Sequence, residues 1–265
     1  MDDAELPLVG KVAVVTGSSG FLGGHVMQRF AELGANCYGL DIVHGDERQP
    51  PVEATSLPAH VTKHLTCDLG SAQDRLRVCR ILEESETQID IIVNSAAQVE
   101  TWGPIGLIRG FVDETDEAFA RALEVNLVAP FSLTRNLLPL LLRAQSPVIV
   151  NVASIHGIVA PVPQIYEGLE MTSHAAYAAS KGGLIQLTRY LASMLGPQVR
   201  VNAVAPGGIG RQQPDEFVSR YAERTLLGRM ARVSEIVQAI EWLSSEASSY
   251  VTGQVLVVDG GWTSV

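Results

Sequence analysis

Val12-Ala13-Val14-Val15-Thr16-Gly17-Ser18-Ser19-Gly20-Phe21-Leu22-Gly23-Gly24 carries the chain from a short apolar run, rich in β-branched residues, through glycines into a helical pattern. Apolar residues without alternation fit a strand buried on both faces, as in a parallel sheet. Val26, Met27 and Phe30 then share a helix face, and the pattern ends near Gly34. Missing side chains let a backbone approach a pyrophosphate, and a helix N-terminus offers free N–H groups and the positive end of its dipole. The same glycines also suit a purely structural turn, so the downstream segments must decide.

Outward from this unit, further apolar runs cover residues 35–41, 61–66, 89–93, 148–154, 199–204 and 255–258. Helical patterns lie between them. One starts near Ser71 and carries Leu76, Val78, Cys79 and Leu82; one covers 116–143; one carries Leu184, Leu187, Leu191 and Met194 up to Gly196-Pro197; one covers 234–245. Strand and helix in alternation predict an α/β, single-domain Rossmann fold: a doubly wound seven-stranded parallel sheet with helices on both faces. A chain of 265 residues suits one large domain better than two. Residues 44–60 read as a polar, proline-containing surface loop, and 98–111 as a loop at the mouth of a site. In the latter, Trp102 is either a substrate contact or an apolar anchor. Pro130 would kink the 116–143 helix and Pro139 would sit near its end.

Composition removes several classes of function. Nineteen Lys and Arg against 29 Asp and Glu give a net charge of −10, which repels nucleic acid and anionic membranes. Cys37, Cys67 and Cys79 form no C-x-x-C pair and no metal-ligand spacing with His, and their odd number argues against a disulfide framework, so no metal is expected. The N-terminus is acidic where a secretory leader is basic, and no apolar run is long enough to span a bilayer. The cytoplasm is the expected location.

The chemistry-bearing residues fall at strand ends. Asp41 closes the second strand roughly 20 residues past the glycines, where a carboxylate can accept from both adenosine ribose hydroxyls and would repel a 2′-phosphate. No Lys or Arg lies in the glycine turn, so NAD(H) is expected over NADP(H), with Arg48 as the one nearby cation. Asp68 and Leu69 end the third strand; Asp68 either sits beside the adenine with Leu69 or caps the next helix. Asn94-Ser95-Ala96-Ala97 ends the fourth with residues small enough for close passage of a cofactor. Asn126, amid Leu123, Val125 and Leu127, either fastens a kink to a neighbouring helix or holds a water for proton exchange. Ser154 ends the fifth strand and can donate to a carbonyl oxygen while accepting from Tyr177. In Ser173-His174-Ala175-Ala176-Tyr177-Ala178-Ala179-Ser180-Lys181, Tyr177 and Lys181 are i and i+4 on one helix face, so the ammonium can stabilise a phenolate. Pro206-Gly207-Gly208-Ile209 turns across the sheet after the sixth strand.

Taken together, these motifs resemble the short-chain dehydrogenase/reductase family along nearly the whole chain, down to Val258-Asp259-Gly260-Gly261. The resemblance implies an enzyme in which Tyr177 exchanges a proton with the substrate oxygen, Lys181 lowers its pKa, Ser154 orients the substrate and Asn126 supports a water relay. It implies cofactor contacts from Gly17, Ser19, Gly20, Phe21 and Leu22, from Asp41, Asp68 and Leu69, from Asn94, Ser95 and Ala96, from Tyr177 and Lys181, and from Pro206, Gly207 and Ile209. A homotetramer is the family expectation. Two features depart from the short branch of the family. The glycines are spaced T-G-x-x-G-x-x-G, the pattern of the longer branch acting on nucleotide sugars, and the interval from Ser154 to Tyr177 is longer than usual. The extra residues, 161–172, would form a flap over the substrate. With Tyr166-Glu167-Gly168, that flap is similar to a bacterial subgroup associated with flagellin modification and surface sugars.

The resulting expectation is reversible hydride transfer between a secondary alcohol and a ketone, with a sugar or polyol derivative as substrate. Ser154, His156, Tyr166, Tyr177 and Gly208 are the substrate-contact candidates, and Gln98, Gln164 and Glu167 add to a polar mouth. Val159, Pro161, Val162 and Pro163 favour a less polar alcohol or ketone instead. A non-catalytic NAD-binding sensor would not need Asn126, Ser154, Tyr177 and Lys181 together. An epimerase or dehydratase on a nucleotide sugar would need more chain after the last strand.

Overall fold

The computed structural model describes residues 6–42, 62–98 and 111–265. Arg48 and Trp102, with most of the two loops that carry them, lie outside the described residues. Seven parallel strands form one sheet: β1 (Val12–Thr16), β2 (Asn36–Asp41), β3 (Thr62–Thr66), β4 (Ile91–Asn94), β5 (Val148–Val152), β6 (Arg200–Pro206) and β7 (Val255–Val258), in the order 3-2-1-4-5-6-7. The helices are α1 (Phe21–Glu32), α2 (Ala72–Ser85), α3 (Asp116–Leu123), α4 (Ala129–Leu141), α5 (Ala175–Leu195), α6 (Asp215–Ala222) and α7 (Val233–Ser244).

The doubly wound arrangement follows from β1 itself. Val12 and Val14 point to one face, where they meet α2, α4 and the end of α5 through Val78, Leu82, Leu133, Leu137 and Leu191. Ala13 and Val15 point to the other and meet α1 and α7 through Val26, Phe30, Ile236 and Ile240. Both sets are within 5% of full burial, which is why the run shows no alternation. Strand order reverses between β2-β1 and β4-β5, and the crevice at the carboxyl ends there is where open α/β sheets bind ligands.

The helix expected over 116–143 is continuous in direction but not in ladder. Between α3 and α4, Glu124–Val128 form a π turn in which the Ala129 N–H reaches the Glu124 carbonyl five residues back. Pro130 has no N–H to give the Asn126 carbonyl, and the wider turn absorbs that gap where a kink was expected. Arg75, 4% exposed, braces the turn from α2 by an ion pair to Glu124 at 2.7 Å and a hydrogen bond to the Leu69 carbonyl. α6 was not evident from apolar spacing; its signal is Pro214 followed by the acidic first turn Asp215-Glu216.

Candidate active site

The glycine turn is built by exclusion. Gly17 has φ +70°, and a Cβ there would lie 2.8 Å from the Ala96 Cα, so the turn and the end of β4 pack backbone to backbone. A Cβ at Gly23 would lie 2.1 Å from the Gly17 carbonyl, so α1 can sit on β1 only without a side chain at that position. Thr16 Oγ1 accepts the N–H groups of Ser95 and Ala96, both at 3.1 Å, and fixes the β4 end against β1. Helix α1 begins at Gly20 with no side-chain cap and no acidic residue in its first turn, leaving its end open to an anion. Asp41, 9% exposed, accepts from Ser19 N–H at 2.9 Å and Ile42 N–H at 2.7 Å.

A cavity of about 620 Å³ runs across these strand ends. Its wall includes Gly17, Gly20, Phe21, Leu22, Asp41, Asp68, Leu69, Ser95 and Ala96 on one side of the switch point. Ser154, His156, Tyr166, Tyr177, Lys181, Pro206, Gly207, Gly208 and Ile209 are on the other. Three residues expected at the site stand off it. Ser19 turns its N–H to Asp41. The Asn94 side chain donates to Asn151 Oδ1 at 2.8 Å, and Asn151 in turn donates to Thr188 Oγ1 of α5 at 2.9 Å. Asn126 is fully buried, accepting from the Gln98 N–H at 2.7 Å and donating to the Gln98 carbonyl and to Ser180 Oγ at 3.0 Å. Its amide therefore fastens the π turn to α5. Asp68 caps no helix: Ser71 caps α2 by accepting the Asp74 N–H, while the Asp68 carboxylate pairs with Arg121 at 2.6 Å.

At the far end, α5 presents Tyr177 and Lys181 on one face. The helix has no side-chain cap of its own; Glu114 supplies one by accepting the Ala175 and Ala176 N–H groups at 2.9 and 3.1 Å. Lys181 is 1% exposed, donates to the Val152 carbonyl at 2.6 Å and lies 5.6 Å from the Tyr177 ring centroid. Burial draws its pKa down to about 8. The Tyr177 hydroxyl is raised above its ordinary value, contrary to the expectation of a lowered one. Burial opposes the phenolate more than the Ser154 hydrogen bond and the Arg211 charge favour it. The ammonium sits beneath the ring on a carbonyl rather than on the phenol oxygen.

Ser154 Oγ accepts the His156 N–H at 3.1 Å, which leaves its own O–H free to donate. Burial lowers the His156 pKa and keeps the ring neutral at pH 7; it lies edge-on to Tyr177, 6.3 Å between centroids, with Nδ1 at 3.3 Å from Ser173 Oγ. The inserted segment is anchored rather than loose: Ile165, Tyr166 and Leu169 join Phe217, Tyr221, Met230 and Trp262 in an apolar cluster. From it Tyr166, Met171 and Thr172 reach the cavity, whereas Gln164 and Glu167 are exposed and do not. Residues the sequence did not single out also line it: Thr172, His174, Arg211, Phe217 and Met230.

Comparison with known proteins places this geometry. A family model described as enoyl-(acyl carrier protein) reductase, of the short-chain alcohol dehydrogenase type, matches residues 18–263. An uncharacterized short-chain type dehydrogenase/reductase, y4vI of Sinorhizobium fredii, is 34% identical over all of this chain, which spans 46% of that protein's length. The 3-oxoacyl-(acyl-carrier-protein) reductase FabG of Thermotoga maritima is 33% identical over 96% of this chain and 98% of its own. A short-chain dehydrogenase from Leptospira borgpetersenii, solved with NAD+, superposes with a TM-score of 0.84 at 30% identity, covering 99% of this chain and 96% of the other. Solved relatives hold NAD+ or NADP. The chain belongs to the short-chain dehydrogenase/reductase family, oxidoreductases that work with a nicotinamide dinucleotide.

Proposed function

We propose that the protein is an NAD(H)-dependent oxidoreductase interconverting a secondary alcohol and a ketone. The observation that carries this reading is one continuous cavity with an uncapped helix end and Asp41 on one side and Ser154, Tyr177 and Lys181 on the other. The uncapped α1 suits a diphosphate, and the Asp41 carboxylate suits an unphosphorylated adenosine ribose, which supports NAD(H) over NADP(H). Asp68 and Leu69 suit the adenine, and Ser95, Ala96, Pro206, Gly207 and Ile209 the nicotinamide side.

When bound, the nicotinamide supplies or takes the hydride. Tyr177 gives its proton to the substrate oxygen in reduction and takes it back in oxidation. Ser154 donates its free O–H to that oxygen or to the phenolate. Below its pKa of about 8, Lys181 brings a positive charge beneath the ring and favours the deprotonated form. Asn126 contributes through its main chain: Pro130 leaves its carbonyl short of a helical donor, and we assign it a water in the proton relay.

For the substrate we favour a sugar or polyol derivative. Among the described residues, Thr172 Oγ1 and both ring nitrogens of His174 are buried without partners, and both residues line the cavity, which favours a substrate with hydroxyls to satisfy them. Met171, Phe217 and Met230 on the same wall favour the second reading, a less polar alcohol or ketone. We also propose a homotetramer. Phe131, Tyr190 and Met194 are exposed on α4 and α5, and β7 is a sheet edge; sedimentation should give the mass of four chains. We place it in the cytoplasm, where three free thiols persist. Among the described residues no helix is long and apolar enough to cross a membrane. The functional test is NADH formation at alkaline pH over sugars, sugar acids, polyols and simple secondary alcohols, with NADP in parallel. The expected outcome is turnover with kcat/KM for NAD at least ~10-fold above NADP, the equivalent of ~1.4 kcal/mol; a preference for NADP would overturn the role given to Asp41.

A further inference from the structure

Three cationic side chains, histidines aside, line the cavity among the described residues. Arg121 is paired with Asp68, and Lys181 is held on the Val152 carbonyl. Arg211 has no acidic partner among the described residues; its guanidinium lies over the Phe21 ring, 5.0 Å from the centroid. Phe21 is the first residue of α1, so the arginine reaches from the loop after β6 across the cleft to the glycine turn.

That reach is built in. Gly210 donates to the Ala231 carbonyl at 2.9 Å, Gln213 Nε2 to the Ile209 carbonyl at 2.8 Å, and the Arg211 N–H to Gln213 Oε1 at 2.6 Å, which together pin the loop that carries the guanidinium. Arg211 and Tyr177 line the same cavity. Among the described residues, then, a helix N-terminus that no side chain caps and a guanidinium that no carboxylate neutralises meet at Phe21. An anion bound there would draw on both.

We propose that Arg211, stacked on Phe21, is a clasp for the cofactor's diphosphate, closing the cleft over it from the β6 side. The proposal rests on the dinucleotide reading of the glycine turn. A guanidinium suits the task because its planar fork can hold two phosphate oxygens at once while its face stays on the aromatic ring.

The test is binding of NADH, ADP and adenosine to the wild type, Arg211→Gln and Arg211→Lys by titration calorimetry. ADP carries the diphosphate and adenosine does not. Arg211→Gln should weaken NADH and ADP about 10-fold or more, leave adenosine within about 2-fold, and flatten the salt dependence of ADP binding; Arg211→Lys should recover part of the loss. Arg211 is exposed, so both variants should melt as the wild type does. Unchanged ADP affinity in Arg211→Gln would overturn the clasp, including the case in which only the KM of an acidic substrate rises. A wild type that binds neither NADH nor ADP would instead overturn the dinucleotide reading, and the clasp with it.

Discussion

Burying an ammonium is costly unless something takes its charge, and Lys181 has a single carbonyl to lean on. Its folded-state pKa, about 8, lies below the ordinary 10.5. Between those values the unfolded chain holds a proton that the folded chain has given up, so this group adds stability as pH rises through that window; below it, the penalty of the buried charge is present in full. Thermal melts should therefore show the wild type gaining on Lys181→Met from pH 8 toward pH 10. A difference that does not change with pH would contradict the assignment. Tyr177 and Lys181 were legible because i and i+4 on a helix is a local rule. The upward shift of Tyr177 was not, since it comes from burial, and burial depends on how distant segments pack around α5. Arg211 was illegible for the same reason: its task lies in the meeting of two loops.

Helix α5 holds Tyr177 and Lys181, and its start is fixed from outside. Glu114, on the segment before α3, takes the N–H groups of Ala175 and Ala176 where the sequence points to a start at Ser173. Glu114→Ala should cost about 1–2 kcal/mol in urea unfolding, through the lost cap and the lost charge at the helix N-terminus. It should also lower kcat while the NADH affinity stays near wild type. Loss of NADH binding with kcat retained would contradict this role. The second support is the Asn126 amide, which ties the π turn to Ser180, whose hydroxyl donates to the Tyr177 carbonyl at 2.8 Å. The sequence marked Asn126 as buried and Pro130 as an interruption; it had no means of showing that the chain would answer with a wider turn rather than a kink. Asp68 is similar: a place beside the adenine and a helix cap were both open, and Ser71, one residue from the helix, takes the cap while Asp68 pairs with Arg121 at the cavity wall.

For the molecule as a whole, the sheet and its order are consequences of buried apolar runs alternating with helices, joined by crossovers that pack only one way. That logic is written in short stretches, so the cavity wall formed by the glycine turn, Asp41, Asp68 and Ser95, whose residues follow directly on their strands, was readable in advance. The substrate side draws on the inserted segment, α6 and the C-terminal Trp262, distant pieces joined by the stack of Tyr166, Phe217, Tyr221 and Trp262 with neighbouring centroids 4.4–5.9 Å apart. No local pattern encodes that meeting. Tyr177 is assigned the proton exchange, and the sharpest check is NADH formation by the wild type and Tyr177→Phe on the same alcohol, with NADH binding measured alongside. Tyr177→Phe should lose about 10²–10⁴-fold in turnover with NADH affinity unchanged, as expected for loss of a general acid/base; turnover at the wild-type rate would overturn the assignment.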